Sequence, residues 1–271
     1  MFNIDFKNKP TNFFELSSFA KKKKLDNFQI LKQAFDQNVL PEDNKELLLN
    51  FINIFKDQKS FQSQIYQDIF ALLIVGENFD KTFLEFGATD GFELSNSYIL
   101  ENDYNWKGVL CEPSPQWHER LKKNRINSKI ITECIWKETG KKLDFYMSDL
   151  GEFSTLNDFI DNEIDTIPKN TSQRKESGKI ISVNTISLND VIREYFNNKC
   201  PSYISVDTEG SEYEILKVFN LNDFRPKLFT IEHNFTENQS KIDDLLISNG
   251  YVRIFKKLTA FDAWYIPLEN L

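Results

Sequence analysis

The sequence predicts an α/β protein built on a seven-stranded, mainly parallel, Rossmann-like sheet that closes in an antiparallel C-terminal hairpin, with an N-terminal helical extension. Three observations carry this. From about residue 62 the chain alternates short apolar runs with helical segments, the pattern of strands joined by crossover helices. The run Phe83-Leu-Glu-Phe86 passes straight into a glycine loop ending at Gly91, and an acid, Glu112, closes the next run. The last two runs are joined by too short a turn for a crossover, so they must pair antiparallel. At 271 residues the chain has room for one well-buried domain and an appendage.

Taken in order, residues 1–61 are polar and studded with Phe, with helical spacing in Phe28–Phe35 and Glu46–Phe55. They read as a helical cap or dimerisation arm on a main domain spanning 62–271, which makes a homodimer a possible assembly. The Lys21–Lys24 run reads as a solvated face, with contact to anionic lipid or glycan as the alternative. The predicted strands are Thr82–Phe86, Gly108–Glu112, Lys129–Ile135, Tyr203–Asp207, Leu228–Glu232, Tyr251–Phe255 and Asp262–Ile266. Helices are expected at Glu93–Glu101, Gln116–Lys123, Glu212–Phe219 and Lys241–Asn249, the last ended by Gly250 in a left-handed conformation. An insertion at about 140–200 holds an extra strand, Leu143–Met147, and a polar loop, Asp161–Lys179, expected to act as an acceptor lid.

The bulk numbers narrow the function classes. A net charge of −8 argues against a protein whose main business is gripping a phosphate backbone, and no nucleic acid is expected as partner. The amino terminus lacks the apolar segment of a signal peptide, and no apolar run is long enough to span a bilayer. Three cysteines, Cys111, Cys134 and Cys200, are odd in number and lack CxxC spacing, which reads as reduced thiols. A cytoplasmic protein is expected.

Glycine lets a backbone pass close to a ligand, and a carboxylate about 20 residues further on is placed to grip a ribose diol. Here the loop is Gly-x-x-x-Gly, and Thr89-Asp90 stand where a dinucleotide fingerprint needs its middle glycine. An acid-rich loop suits a cationic ligand without phosphates, so S-adenosylmethionine fits better than NAD; a nicotinamide-dependent oxidoreductase is the weaker alternative. The expected cofactor-binding residues are Glu85, Gly87, Ala88, Asp90, Gly91, Ser95, Asn96, Glu112, Pro113, Cys134, Ile135 and Asp207. Glu112 is to accept the ribose hydroxyls, and Glu85 to orient the loop or meet the ligand's ammonium. Pro113 and Pro115 stiffen the chain beside the adenine, which backbone around Cys134 and Ile135 is to read, with Trp136 a stacking face. Ser95 and Asn96 read equally as helix caps.

Four spaced segments carry a family resemblance: Ser63-Gln-Ile-Tyr-Gln-Asp68; Leu94-Ser-Asn-Ser-Tyr98; Trp106-Lys-Gly-Val-Leu-Cys-Glu-Pro-Ser-Pro115; and Ile204-Ser-Val-Asp-Thr-Glu-Gly-Ser-Glu-Tyr-Glu214. In order and context the chain from about 62 to 266 resembles the FkbM family of S-adenosylmethionine-dependent methyltransferases. The resemblance implies a class I methyltransferase sheet and methyl transfer to an oxygen of a sugar, glycan precursor or polyketide-type hydroxyl. A non-catalytic, cofactor-binding scaffold is the alternative.

A sugar hydroxyl is a poor nucleophile, so a base or a metal must remove its proton. Ligands bind beyond the carboxyl ends of parallel strands, where Asp207, Glu209, Glu232 and His233 stand. His233, one of two histidines, is the preferred base, with Asp207 and Glu209 as partners; a histidine that merely bonds a loop is the competing reading. His118 reads as a surface residue and Glu212 as a capping-box partner. A magnesium ion is not required by the spacing; if present, Asp207, Glu232 and His233 are its expected ligands.

Overall fold

Two layers of helices enclose one sheet in the computed structural model, which describes residues 10–40, 44–58, 60–161, 174 and 177–271. Four helices come first: α1 (Phe13–Lys23), α2 (Asn27–Asp36), α3 (Lys45–Ile54) and α4 (Gln67–Ile74). Then follow β1 (Thr82–Phe86), α5 (Tyr98–Asn102), β2 (Lys107–Cys111), α6 (His118–Asn124) and β3 (Lys129–Ile131). An inserted unit contains β4 (Cys134–Trp136), β5 (Lys142–Ser148), β6 (Thr155–Leu156) and β7 (Gly178–Ser187). The chain returns through α7 (Leu188–Tyr195), β8 (Tyr203–Val206), α8 (Glu212–Leu216), β9 (Leu228–Glu232), α9 (Asn238–Ser248), β10 (Tyr251–Ile254) and β11 (Asp262–Pro267).

The main sheet has seven strands in the order β10-β11-β9-β8-β1-β2-β3. All run parallel except β11, which lies antiparallel between β9 and β10. The class I methyltransferase sheet expected from the sequence is therefore present. From β1 the chain winds outward through β2 and β3, then returns to lay β8 against the other side of β1. The switch of direction opens a crevice at the carboxyl ends of β1 and β8, where open α/β sheets bind ligands.

Both sheet faces are covered, which explains why β1 is apolar with little alternation. Phe83 and Leu110 point to a core shared with α1–α4, whereas Leu84, Val109, Ile204 and Ile231 point to one shared with α7–α9. The N-terminal helices use their apolar faces here, inside the molecule: Phe13, Ile30, Phe51 and Ile52 belong to the same core as Trp264. Phe13 ties α1 into this core, its ring 5.1 to 5.8 Å from those of Phe51, Tyr66, Phe255 and Trp264. The Lys21–Lys23 run fills the last turn of α1, where cations complement the helix dipole.

Several elements differ from expectation. The single strand foreseen over 129–135 is two: β3 ends at Ile131, and β4 leaves the main sheet to join a second one, β4-β7-β5-β6. The insertion thus holds β-structure, with β5 paired antiparallel to β7 from Lys142–Asn184 to Ser148–Gly178. The acceptor lid foreseen at Asp161–Lys179 lies largely outside the described residues, and its last two residues already belong to β7. The helix expected from Glu93 starts only at Tyr98, because Leu94 takes φ 61° and the chain before it is tied to a buried carboxylate. Among the described residues no helix is long and apolar enough to cross a membrane.

Because α1 and the sheet share one core, Phe13→Ala is expected to lower stability by about 3–5 kcal/mol within a single unfolding transition, as followed by urea denaturation. A separate early transition for the N-terminal helices would contradict the shared core.

Candidate active site

Glu85, at the carboxyl end of β1, is 3% exposed, and its carboxylate organises the loop that follows. It accepts the Asn96 backbone N–H at 2.8 Å, the Ser95 hydroxyl at 3.1 Å and the Ser97 hydroxyl. Ser95 and Asn96 are therefore not helix caps but groups that bind Glu85. Arg125, just past α6 and wholly buried, lies 3.7 Å from Glu85 and pairs with Glu101 of α5 at 2.7 Å. Its remaining donors go to the Gly91 carbonyl and to the Ser95 and Ser97 hydroxyls. Nothing in the Lys-Lys-Asn-Arg run marks Arg125 as different from a surface charge, and the sequence reading missed it.

Gly87 (φ 68°) admits no side chain, since a Cβ would stand 2.1 Å from the Asp207 carbonyl oxygen. Glycine here brings the β1 loop against the end of β8. Two expected cofactor residues face elsewhere. A Cβ on Gly91 (φ 75°) would meet Leu121 and the Arg125 stem at 2.5 Å, so this glycine serves packing of the loop on α6. Ala88 is 1% exposed, within the core, and its N–H goes to the Cys111 carbonyl. The other ten line a cavity of about 400 Å³ across the ends of β2, β1, β8 and β9.

At one end Glu112 follows β2, with one carboxylate oxygen accepting from Thr89 N–H at 2.8 Å and the other from Ser114 N–H at 2.7 Å. Those bonds fix both oxygens at the cavity wall; burial lifts the carboxyl to about 7 despite them. Pro113, Cys134 and Ile135 stand beside it, with Trp117, Phe145 and Leu156, which sequence reasoning did not assign to the site. Phe145 and Leu156 come from the second sheet, a signal that only the pairing of β5 with β6 reveals. Trp136 turns away, packing on Phe159 with the Lys137 ammonium 4.6 Å from its ring. In the middle, Asp90 Oδ1 is held by Phe92 and Glu93 N–H groups. Asn96 donates to Ser205 Oγ at 2.9 Å, while its buried Oδ1 has no partner among the described residues.

At the other end Asp207, Glu209 and Glu232 bring carboxylate oxygens within 4.8 Å of one another. Burial, followed by the neighbouring carboxylates, pushes Asp207 and Glu232 well above the usual range. Burial lifts Glu209 to about 7 against the pull of its ion pair with Arg174, and Asp262 to about 7 as well. Glu212 is occupied, its Oε1 taking the Thr208 N–H, the Thr208 hydroxyl and the Gly210 N–H, which clamps the loop after β8.

His233 is not positioned as the base. It is 3% exposed and absent from the walls of the large cavity. Its Nδ1 accepts the Phe235 N–H at 3.0 Å, which leaves Nε2 to donate to the Asp262 carbonyl at 3.0 Å. Burial and the nearby Arg253 hold it down at about 4, so the ring is neutral and fully engaged in holding the turn after β9. For the same reason it is not a metal ligand: the carboxylate that joins Asp207 and Glu232 is Glu209. His118 is half-buried rather than at the surface, its Nε2 donating to the Glu112 carbonyl at 2.8 Å.

A Rossmann-like sheet with a glycine loop, a strand-end acid and a cavity over the switch point defines a class I methyltransferase. Residues 85–253 match the Methyltransferase FkbM domain, and the chain belongs to that family. No curated protein matches its sequence. Among solved structures it is similar to precorrin-6y C5,15-methyltransferase from Geobacter metallireducens GS-15, at 11% identity over 77% of this chain and 90% of that one, with a TM-score of 0.39. It is also similar to the Methanococcus jannaschii fibrillarin pre-rRNA processing protein, at 12% identity over 69% and 65%, with a TM-score of 0.36. At those scores the likenesses identify no acceptor.

The raised carboxyls set a pH dependence. With Glu112, Glu209 and Asp262 at about 7 and Asp207 and Glu232 raised well above the usual carboxylate range, the folded chain binds more protons than the unfolded one from about pH 4 to 7. That stability is present at low pH and is lost as pH rises through the folded values, with His233, lowered, opposing it. The melting temperature of the ligand-free protein is expected to be lower at pH 8 than at pH 5.5, and Asp207→Asn with Glu232→Gln to flatten the difference in thermal scans.

Proposed function

We propose that this methyltransferase transfers the methyl group of S-adenosylmethionine to a hydroxyl of a sugar, glycan or glycan precursor. The observation that carries the reading is one continuous cavity running from Glu112 to the Asp207–Glu232 pair. When bound, S-adenosylmethionine supplies an electrophilic methyl group for direct displacement by an acceptor oxygen. The wall suits that ligand. Glu112 retains lone pairs for two ribose hydroxyls, and the unpartnered Asn96 Oδ1 can accept from an ammonium. The surrounding carboxylates favour a cation, and Cys134 and Ile135 give the adenine an apolar wall.

Asp207 is the group proposed to take the acceptor's proton. It bonds Glu232, and burial followed by the neighbouring carboxylates raises its basicity above the usual carboxylate range, in the direction that general bases need. Glu209, neutralised by Arg174, holds this pair from its other side. A second reading keeps a divalent cation on Asp207, Glu209 and Glu232, favoured by their mutual closeness. Arg174 already places a positive charge there, which favours the metal-free reading.

Calorimetric titration with S-adenosylhomocysteine is expected to give micromolar binding. Glu112→Ala is expected to weaken it about 100-fold, the worth of two hydrogen bonds to a charged group. Since the diol requires ionised Glu112, affinity should fall as pH drops below 7 in the parent protein, and no such fall should appear in Glu112→Gln. Normal binding by Glu112→Ala would remove the ribose assignment.

For chemistry, Asp207→Asn is expected to keep S-adenosylhomocysteine affinity within about threefold while lowering turnover by roughly 10²–10⁴-fold, read as S-adenosylhomocysteine released with a panel of glycosides. A rate that appears only with magnesium would move the proton-removal role to the cation.

A further inference from the structure

The matched family domain spans residues 85–253, yet one side of the cavity is built by residues outside it: Phe14, Gln64, Gln67, Phe261 and Asp262. We infer that Phe14, on the first helix, is a specificity-determining residue that stacks on the apolar face of a pyranose ring held beside the Asp207–Glu232 pair. The inference rests on the methyl-transfer reading of the same cavity and adds the residue and the acceptor shape.

Four observations carry it. Phe14 is 38% exposed and lines the cavity, so its ring stands at the opening and is not core. Its neighbour Phe13 does the structural work, fully buried and donating its N–H to the Leu258 carbonyl at 2.8 Å, which fixes the start of α1 against the loop before β11. Phe14 meets Phe261 edge to face, with centroids 5.6 Å apart at 72°, and so presents its remaining surface to the opening. Phe261 is pinned to the end of β9, its carbonyl accepting the His233 and Asn234 N–H groups.

Position and chemistry then select the ligand. In the sheet order Glu112 follows β2, whereas Asp262 opens β11 and Phe261 immediately precedes it, four strand spacings or ~19 Å away. The aromatic pair therefore lies beyond the carboxylates from the ribose-binding end, where the acceptor must enter. Around it are amides and acids: Gln67 donates to Asp262 Oδ2 at 2.9 Å, and Asp262 pairs in register with Glu232. An aromatic face fringed by amides and carboxylates matches a molecule with a flat C–H face and a rim of hydroxyls, which is a pyranose. A long acyl chain would bury the unpartnered Glu232 Oε2 against apolar carbons, and a phosphorylated acceptor would bring its charge among the carboxyls of Asp207, Glu232 and Asp262.

The test is saturation-transfer NMR on the full chain saturated with S-adenosylhomocysteine, using the methyl glycosides of glucose, galactose, mannose and rhamnose as probes. Transfer to the ring C–H protons of at least one probe is expected, falling about fivefold in Phe14→Ala and restored in Phe14→Tyr. S-adenosylhomocysteine affinity should stay within twofold and the melting temperature unchanged, which a packing defect would not allow. Undiminished transfer in Phe14→Ala, or none to any probe while S-adenosylhomocysteine binds, overturns the inference and leaves the cofactor assignment standing. Failure of S-adenosylhomocysteine to bind overturns both.

Discussion

The site depends on one buried cation. Arg125 has no exposed side chain, sits over the Phe83 ring at 5.4 Å, and is the shared partner of Glu101 and, more distantly, Glu85. A buried charge is tolerable only when neutralised and hydrogen-bonded, and losing one partner strands the others. Here the guanidinium also holds Gly91, Ser95 and Ser97, so the whole chain from the glycine loop to α5 is fixed by one side chain. That chain has no regular secondary structure to support it. Its order comes from carboxylate and guanidinium bonds made below it, and on it rest Asp90, the Asn96 amide and the Thr89 N–H that positions Glu112. The parallel bridge between Ser63 and Leu94 adds the segment before α4 to the same assembly, with Asp68 accepting the Gln62, Ser63 and Ile69 N–H groups.

What the sequence made legible follows from this. Strands such as Thr82–Phe86 and Leu228–Glu232 were readable because both their faces are buried, which leaves an apolar run without ambiguity. The glycine loop and Glu112 were readable because turn chemistry and strand-end position are local properties. The segment 93–97 was misread as helix because its conformation is imposed by Glu85 and Arg125, distant in sequence, against its own spacing. Arg125 was invisible for the same reason. In β7 the run Lys179-Ile-Ile-Ser-Val-Asn-Thr-Ile186 alternates as a strand should, but it follows a long polar stretch, and the partner that makes it a strand is β5. His233 misled because ring chemistry says nothing about direction: a histidine at a strand end can face the crevice or turn under it, and this one holds the turn.

The acids of the cavity divide by what they already bond. Glu85 takes backbone and hydroxyl donors with Arg125 alongside, Glu112 takes two backbone N–H groups, and Glu212 takes three donors from its own loop. Glu85 and Glu112 are fixed elements of the wall, and Glu212 holds the loop after β8. Glu209 is committed to Arg174, and Asp262 to Gln67 and the Trp264 N–H. Asp90 takes two N–H groups, and Glu93 and Glu152 are exposed; that leaves Asp207 and Glu232, bonded chiefly to each other, with Glu232 Oε2 buried and unpartnered among the described residues. Two carboxyls that share a site cannot both ionise cheaply, so the pair favours holding one shared proton. A pair in that state gains or loses a proton with little rearrangement, whereas a carboxylate taken up by N–H donors has its lone pairs committed to holding the loop. Polar saturation thus separates the groups that bind from the pair able to react, and it places the proposed chemistry at β8 and β9, between the ribose acid and the aromatic opening.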